Sequence, residues 1–301
     1  MAAWQERNAA WVEKLGLKSR EREVPNPDVV LGMEEGRVYE PGELPTITIA
    51  PGVTATAAWG KGTLLELLEM EPGAAYPAQQ MSGELISVVK RGSATCVLDG
   101  QTLELGQDAV LYLTQGMQRS LQAGPDGLKA LEIFSPVRVD HLKLAGTMLP
   151  PEADVSFPDQ GVERASLEPG KVYSFGDIQR TPIIMPGKSA SEPTTAHTHL
   201  IWGKNFMLSF VRMDPNSSFP LHFHPEDQLM MIMGGAMEEG IIDEWLPMSG
   251  DQEHIILQPG GMVHAARLSP QGADVLDVFW PVRPDYMALC QEHAARVRGS
   301  S

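Results

Sequence analysis

The stretch WGKGTLLELLEMEPGAAYP, residues 59–77, returns as WGKNFMLSFVRMDPNSSFP at residues 202–220. Two further segments repeat in the same order. GRVYEPGELPTITIAPG (36–52) matches GKVYSFGDIQRTPIIMPG (170–187), and FSPVRVDH (134–141) matches FWPVRPDY (279–286). Ordered matches of this kind mark a duplicated unit, which fixes the architecture before any motif is weighed. The chain divides into an N-terminal arm (1–33), a first repeat (34–148), a Pro- and acid-rich connector (149–167) and a second repeat (168–301).

Apolar residues inside each repeat come in short runs, among them LLELLEM, ELISVVKRG, AVLYL, HIILQ and VLDVFW, set apart by Gly, Pro, Asp or Asn. That pattern predicts many short strands joined by turns. The expected fold is all-β, two jelly-roll-type barrels in tandem, with short helices only at the ends. In the arm, Trp4, Trp11 and Leu15 recur on one side of a helix, and Asn8 is the polar exception in that stripe. After PVRPD, the segment YMALCQEHAARVR suits a closing helix, with Pro284 and Asp285 at its start.

With 301 residues, 43% of them hydrophobic, the chain can bury a sizeable core. Its 39 acidic and 23 basic residues give a net charge of −16, which opposes nucleic acid or an anionic membrane as partner. No apolar run approaches the roughly 20 residues that cross a bilayer. Cys96 and Cys290 form no CxxC pair, and the N-terminal residues lack a signal-peptide core. These features lead to the expectation of a soluble cytoplasmic protein with reduced thiols.

Chemistry concentrates in PLHFHPEDQLMMIMGGAM, residues 220–237. Along an extended strand His222 and His224 point to one side and can meet one ion. Gln228 lies beyond the turn-prone Pro225 and can fold back to join them. The segment LQPGGMVHAARL (257–268) supplies His264 just after a Gly-Gly turn. Three imidazoles and an amide oxygen suit Zn, Ni, Fe, Mn or Co. Gln228 has a second possible role, orienting an imidazole from outside the ligand set.

This arrangement resembles the two sequence motifs of the cupin superfamily, with Gln228 where cupins usually have glutamate. The form HxHPxxQ, together with DVFWPVRPDYM (277–287), resembles the KdgF-type cupins that linearise uronates. The resemblance implies a divalent metal on His222, His224, Gln228 and His264, and an acid and an arginine acting on substrate. Asp277 and Arg283 have the family's spacing, with Phe279 between them. Asp277 and Arg283 would be catalytic, Phe279 and Arg283 would contact substrate, and the substrate would be a small anionic molecule. Met262, two residues before His264, is expected by strand alternation to line the same pocket and contact substrate. This chain departs from that family in carrying two repeats and an arm.

A structural role also suits Asp277 and Arg283, as a rim ion pair, because Glu132 and Arg138 stand at the same spacing in the first repeat. That repeat has Gln79, Met81, Leu85 and Arg119 at the positions of the four ligands, a set unfit for a divalent metal. It is expected to be metal-free and retained for packing, dimerisation or ligand binding. His197, His199 and His254 lack partner motifs and are assigned no ligand role. The leading expectation is ring opening and tautomerisation of an unsaturated uronate or similar sugar acid. An Fe(II)-dependent dioxygenase and a non-catalytic metabolite-binding bicupin are the competing ones. A homodimer is expected because cupins often pair through strands.

Overall fold

The computed structural model describes residues 3–25, 30–146, 162–184 and 194–299. Most of the connector, residues 149–161, lies outside them. Two antiparallel nine-stranded sheets account for most of the rest, and their strand orders are the same.

Equivalent residues of the two repeats occupy equivalent rungs. In the first repeat Leu64–Met70 pairs with Gln118–Ser135, placing Glu66 opposite Glu132. In the second, Met207–Met213 pairs with His264–Trp280, placing Ser209 opposite Asp277. Each barrel also has one long strand, Glu84–Leu98 or Asp227–Ile241, whose register slips at Gly92 or Gly235. Both glycines have positive φ, and a Cβ on either would sit 2.1 Å from the carbonyl oxygen of the facing glycine. Only glycine permits this bulge, which bends one strand around the barrel wall.

The sheets do not follow the repeats completely. Val38–Tyr39 of the first repeat pairs with Ile255–Gln258 of the second barrel. Val172–Ser174 of the second pairs with Ala109–Leu113 of the first. Each GxVY segment therefore closes an edge of the other barrel, so the barrels exchange their opening strands.

Between the barrels lies a shared apolar layer. Leu65, Ile86, Val110 and Ile133 come from one side, and Phe206, Leu208, Leu229, Leu276 and Trp280 from the other. Acids pin its margins reciprocally. Glu84 accepts hydrogen bonds from the backbone N–H of Lys204 (2.7 Å) and Asn205 (2.9 Å), from Asn205 Nδ2 (2.8 Å) and from the Tyr112 hydroxyl. Asp227, its counterpart, accepts from Gly260 N–H (2.8 Å) and lies 3.7 Å from Lys61 Nζ. Each barrel thus sends a carboxylate to the WGK turn of the other.

The arm forms α1, Ala3–Leu15, and the chain closes with Pro284–Gly299. Trp4 and Trp11 pack against the core of the second barrel. Leu15, expected on the same stripe, is 41% exposed because it lies at the last residue of the helix, past the barrel contact. Asn8 is buried instead. Among the described residues no helix is long and apolar enough to cross a membrane.

Glu84 is nearly inaccessible, and removing it leaves several inter-barrel donors unpaired. Glu84→Ala is expected to lower stability by about 2–4 kcal/mol, since hydrogen bonds to a charged group contribute about 1.5–3 kcal/mol each and losses at one site overlap. Urea unfolding of parent and variant measures this.

Candidate metal centre

His222 ends the strand Ser218–His222 and lies opposite His264, which opens the strand His264–Trp280. The chain then turns through His224 into Asp227–Ile241, so the turn carries the second histidine back beside the first pair. Ring centroids are 4.2 Å apart for His222 and His264, and 5.0 Å for His224 and His264. One ring nitrogen from each lies within 4.8 Å of those of the other two.

The rings are aimed by backbone. Nδ1 of His222, His224 and His264 bonds the carbonyl of Pro220, Glu226 and Met262 respectively, each at 2.9 Å and two residues away. A carbonyl only accepts, so each Nδ1 carries the proton and each Nε2 keeps a lone pair for the shared space. Burial disfavours the charged imidazolium: it holds His222 and His224 well below the usual histidine range and lowers His264 to about 4. All three are neutral donors at neutral pH.

Gln228 completes the set. Its Nε2 donates to Asp277 Oδ1 at 2.8 Å, which turns Oε1 toward His224 Nε2 at 3.0 Å. Both of those atoms are then acceptors, a repulsive contact that a shared cation would relieve. Two adjacent ligands at right angles, each about 2.1 Å from one ion, lie about 3.0 Å apart. The donor set fits a borderline divalent ion.

Around these donors the cavity is walled by Ile183, Val211, Phe219, Met230, Met237 and Val275, with Asp277, Phe279, Arg283 and Tyr286 at its polar side. An apolar pocket with a few converging polar groups is the usual form of a small-molecule site. Asp277 is pushed up to about 7 by burial, against the lowering effects of the Gln228 bond and the Arg283 charge. Arg283 forms its ion pair with Asp285 (Nη2 to Oδ2, 2.7 Å), and its guanidinium lies over Phe279 and Tyr286. Asp277 and Arg283 share the cavity while each makes its hydrogen bonds elsewhere.

Met262 is absent from the cavity wall. It packs in the apolar core with Ile241, against the chain at Gly36, because residues 260–263 form a turn to which strand alternation does not apply. Glu239 was not anticipated. It lines the cavity, accepts from Gln258 Nε2 (2.6 Å), and is held well above the usual carboxyl range by burial. Its signal is in the sequence: Met237, Glu239 and Ile241 alternate onto one face, and one acid there is out of place among apolar residues. His197 and His199 sit on a different strand, Ala196–Trp202, where His199 bonds the Ile178 carbonyl at 2.7 Å. His254 accepts the Ser249 N–H.

The same interior of the first barrel is filled by its own charges. Arg119 stands opposite Gln79, as His264 stands opposite His222. Its guanidinium makes paired bonds of 2.5 and 2.9 Å to Glu132, the counterpart of Asp277. Glu66 and His141 form a second buried pair at 2.7 Å.

No protein-family model matches this chain, and no curated protein does. Solved structures do. AerE from Microcystis aeruginosa aligns with 13% identity and a TM-score of 0.57 over 79% of this chain and 97% of that one. A mutant of the Bacillus subtilis oxalate decarboxylase OxdC gives 13% identity and 0.59 over 83% and 78%. The formate complex of the Lactobacillus farciminis oxalate decarboxylase gives 13% and 0.58 over 87% and 88%. At such identities the likeness is one of fold, and the fold is the tandem cupin β-barrel.

Glu132→Ala strands the buried Arg119 charge and is expected to cost about 3–5 kcal/mol, whereas Arg119→Met with Glu132→Leu should be close to neutral. Denaturant unfolding of the two proteins tests the contrast.

Proposed function

We propose that this chain is a metal-dependent enzyme that opens and tautomerises a small sugar acid of the 4,5-unsaturated uronate type. His222, His224, Gln228 and His264 would hold one divalent ion, Zn, Ni, Fe, Mn or Co. When bound, the ion supplies Lewis acidity toward ring and carboxylate oxygens of the substrate.

The observation that carries this reading is Asp277. Its buried carboxyl lines the cavity and bonds Gln228 beside the ligand set, and with burial pushing it up to about 7 it is placed to take and return a proton. The hemiacetal hydroxyl at C1 would give its proton to ionised Asp277 as the C1–O5 bond breaks. C1 then becomes an aldehyde, and O5 keeps the bond's electrons as an enolate. Asp277 returns the proton to C4, which leaves a ketone at C5. One proton leaves O1 and one reaches C4, so substrate and product are isomers and no oxidant is consumed.

Arg283 is suited to hold the substrate carboxylate. Asp285 engages its Nε and Nη2, and among the described residues Nη1 has no hydrogen-bond partner, so that edge would take a second anion. Phe279 supports the guanidinium from below and presents an apolar face to the sugar ring. Glu239, whose carboxyl is shifted by burial well above the usual range, lines the same cavity and in its protonated form would donate to a substrate oxygen.

Asp277→Asn is expected to reduce turnover of an unsaturated uronate by about 10²–10⁴-fold, with metal content per chain unchanged. NMR of the product and metal analysis of both proteins check this, with dissolved oxygen followed in parallel and small dicarboxylic acids included as substrates. Full activity or lost metal in the variant overturns the role of Asp277. Oxygen uptake with turnover would replace isomerisation by an Fe(II) dioxygenase. Binding without turnover of any substrate would leave a metabolite-binding protein.

A further inference from the structure

The arm touches the second barrel at the two segments that carry the ligands. Asn8 Nδ2 donates to the Gly261 carbonyl at 2.8 Å, and Asn8 Oδ1 accepts the Val263 N–H at 2.8 Å. The two bonds bracket residue 262, whose carbonyl aims His264. Further along the arm, Arg20 Nη2 and Arg22 Nη1 bond the two carboxylate oxygens of Glu226 at 2.9 and 2.8 Å. Glu226 is fully buried, and its own carbonyl aims His224. Arg22 also donates to the Val282 carbonyl, and Arg20 reaches Asp285 at 3.0 Å, the acid that holds Arg283.

We infer that the N-terminal arm is a positioning element for the metal centre, with Asn8, Arg20 and Arg22 fixing the backbone carbonyls that orient His264 and His224. This rests on the metal-site reading above. The physical reason is that both carbonyls belong to turns. Residues 223–226 and 259–263 lie outside the strands, so no ladder bond fixes them. A ligand aimed by a mobile carbonyl is a poorly aimed ligand, and the partners that aim ligands typically contribute 10–100-fold to metal affinity. The two arginines supply the hydrogen bonds that the buried Glu226 carboxyl oxygens require. Backbone bonds hold part of the 259–263 turn, among them Gly261 N–H to the His224 carbonyl at 2.8 Å. Asn8 pairs the Gly261 carbonyl and the Val263 N–H, which explains a polar residue at the centre of an otherwise apolar helix stripe. Arg7 provides an internal contrast. It joins the same helix to Asp243 and Glu244 on the surface through exposed ion pairs, and it bonds no residue of either ligand segment.

The test uses the full chain, stripped by chelator and titrated with Co(II), reading both affinity and the visible absorption that reports ligand geometry. Asn8→Ala and the double variant Arg20→Ala/Arg22→Ala are each expected to weaken Co(II) binding about 10–100-fold and to alter the band shape. Arg7→Ala should change neither. Should Asn8→Ala fail to fold, Asn8→Ser carries the same expectation. Parent-like affinity and spectrum in both site variants overturn the inference, as does an equal loss in Arg7→Ala, which would mean that the arm acts only by docking. A parent that binds no Co(II) overturns the metal reading and this inference together.

Discussion

Three hydrogen bonds from imidazole N–H to a backbone carbonyl two residues away determine what the second barrel can do. Each fixes a tautomer, and together they direct three lone pairs into one space. Further directions follow from them. His224 faces the oxygen of Gln228, the amide nitrogen of Gln228 then faces Asp277, and Asp277 is held at the cavity wall. The result is one aligned arrangement, in which the His224 bond to the Glu226 carbonyl and the Gln228 bond to Asp277 leave His224 Nε2 and Gln228 Oε1 as facing acceptors that a cation would join. Burial sustains it, because an apolar wall keeps the imidazoles neutral and available.

How much of this the sequence discloses depends on whether the governing rule is local. The duplication and the strand-rich fold are legible because Gly, Pro and short apolar runs recur in order. His222 and His224 are legible because strand alternation needs only neighbours. The exchange of Val38–Tyr39 and Val172–Ser174 between barrels is not, since a two- or three-residue strand joins whichever edge lies nearest in space. Met262 shows where a local rule ends: alternation holds along a strand, and residue 262 lies in the turn before one. Asn8 shows the reverse, a break in a helical pattern whose explanation lies some 250 residues away, at Gly261 and Val263.

The two barrels solve one burial problem in two ways. Each places a carboxyl on the same interior rung, Glu132 or Asp277, and an acid buried there requires a partner. The first barrel supplies Arg119, closed in paired bonds. The second has His264 at that position, which brings no permanent charge. What the two keep in common is the interface, where Glu84 and Asp227 still reach to each other's WGK turns.

That one difference has a double effect. A carboxylate gripped by two charge-assisted hydrogen bonds is held as an anion and is a poor proton carrier. With an arginine at position 264, Asp277 would be gripped in the same way as Glu132. With histidine there, the charge that would have locked the acid is gone, and the acid's hydrogen bond comes from a neutral amide instead. Burial then pushes its pKa up to about 7. The same histidine completes the triad beside it, so the one difference that would make a place for a cation would also leave the neighbouring acid free to move protons.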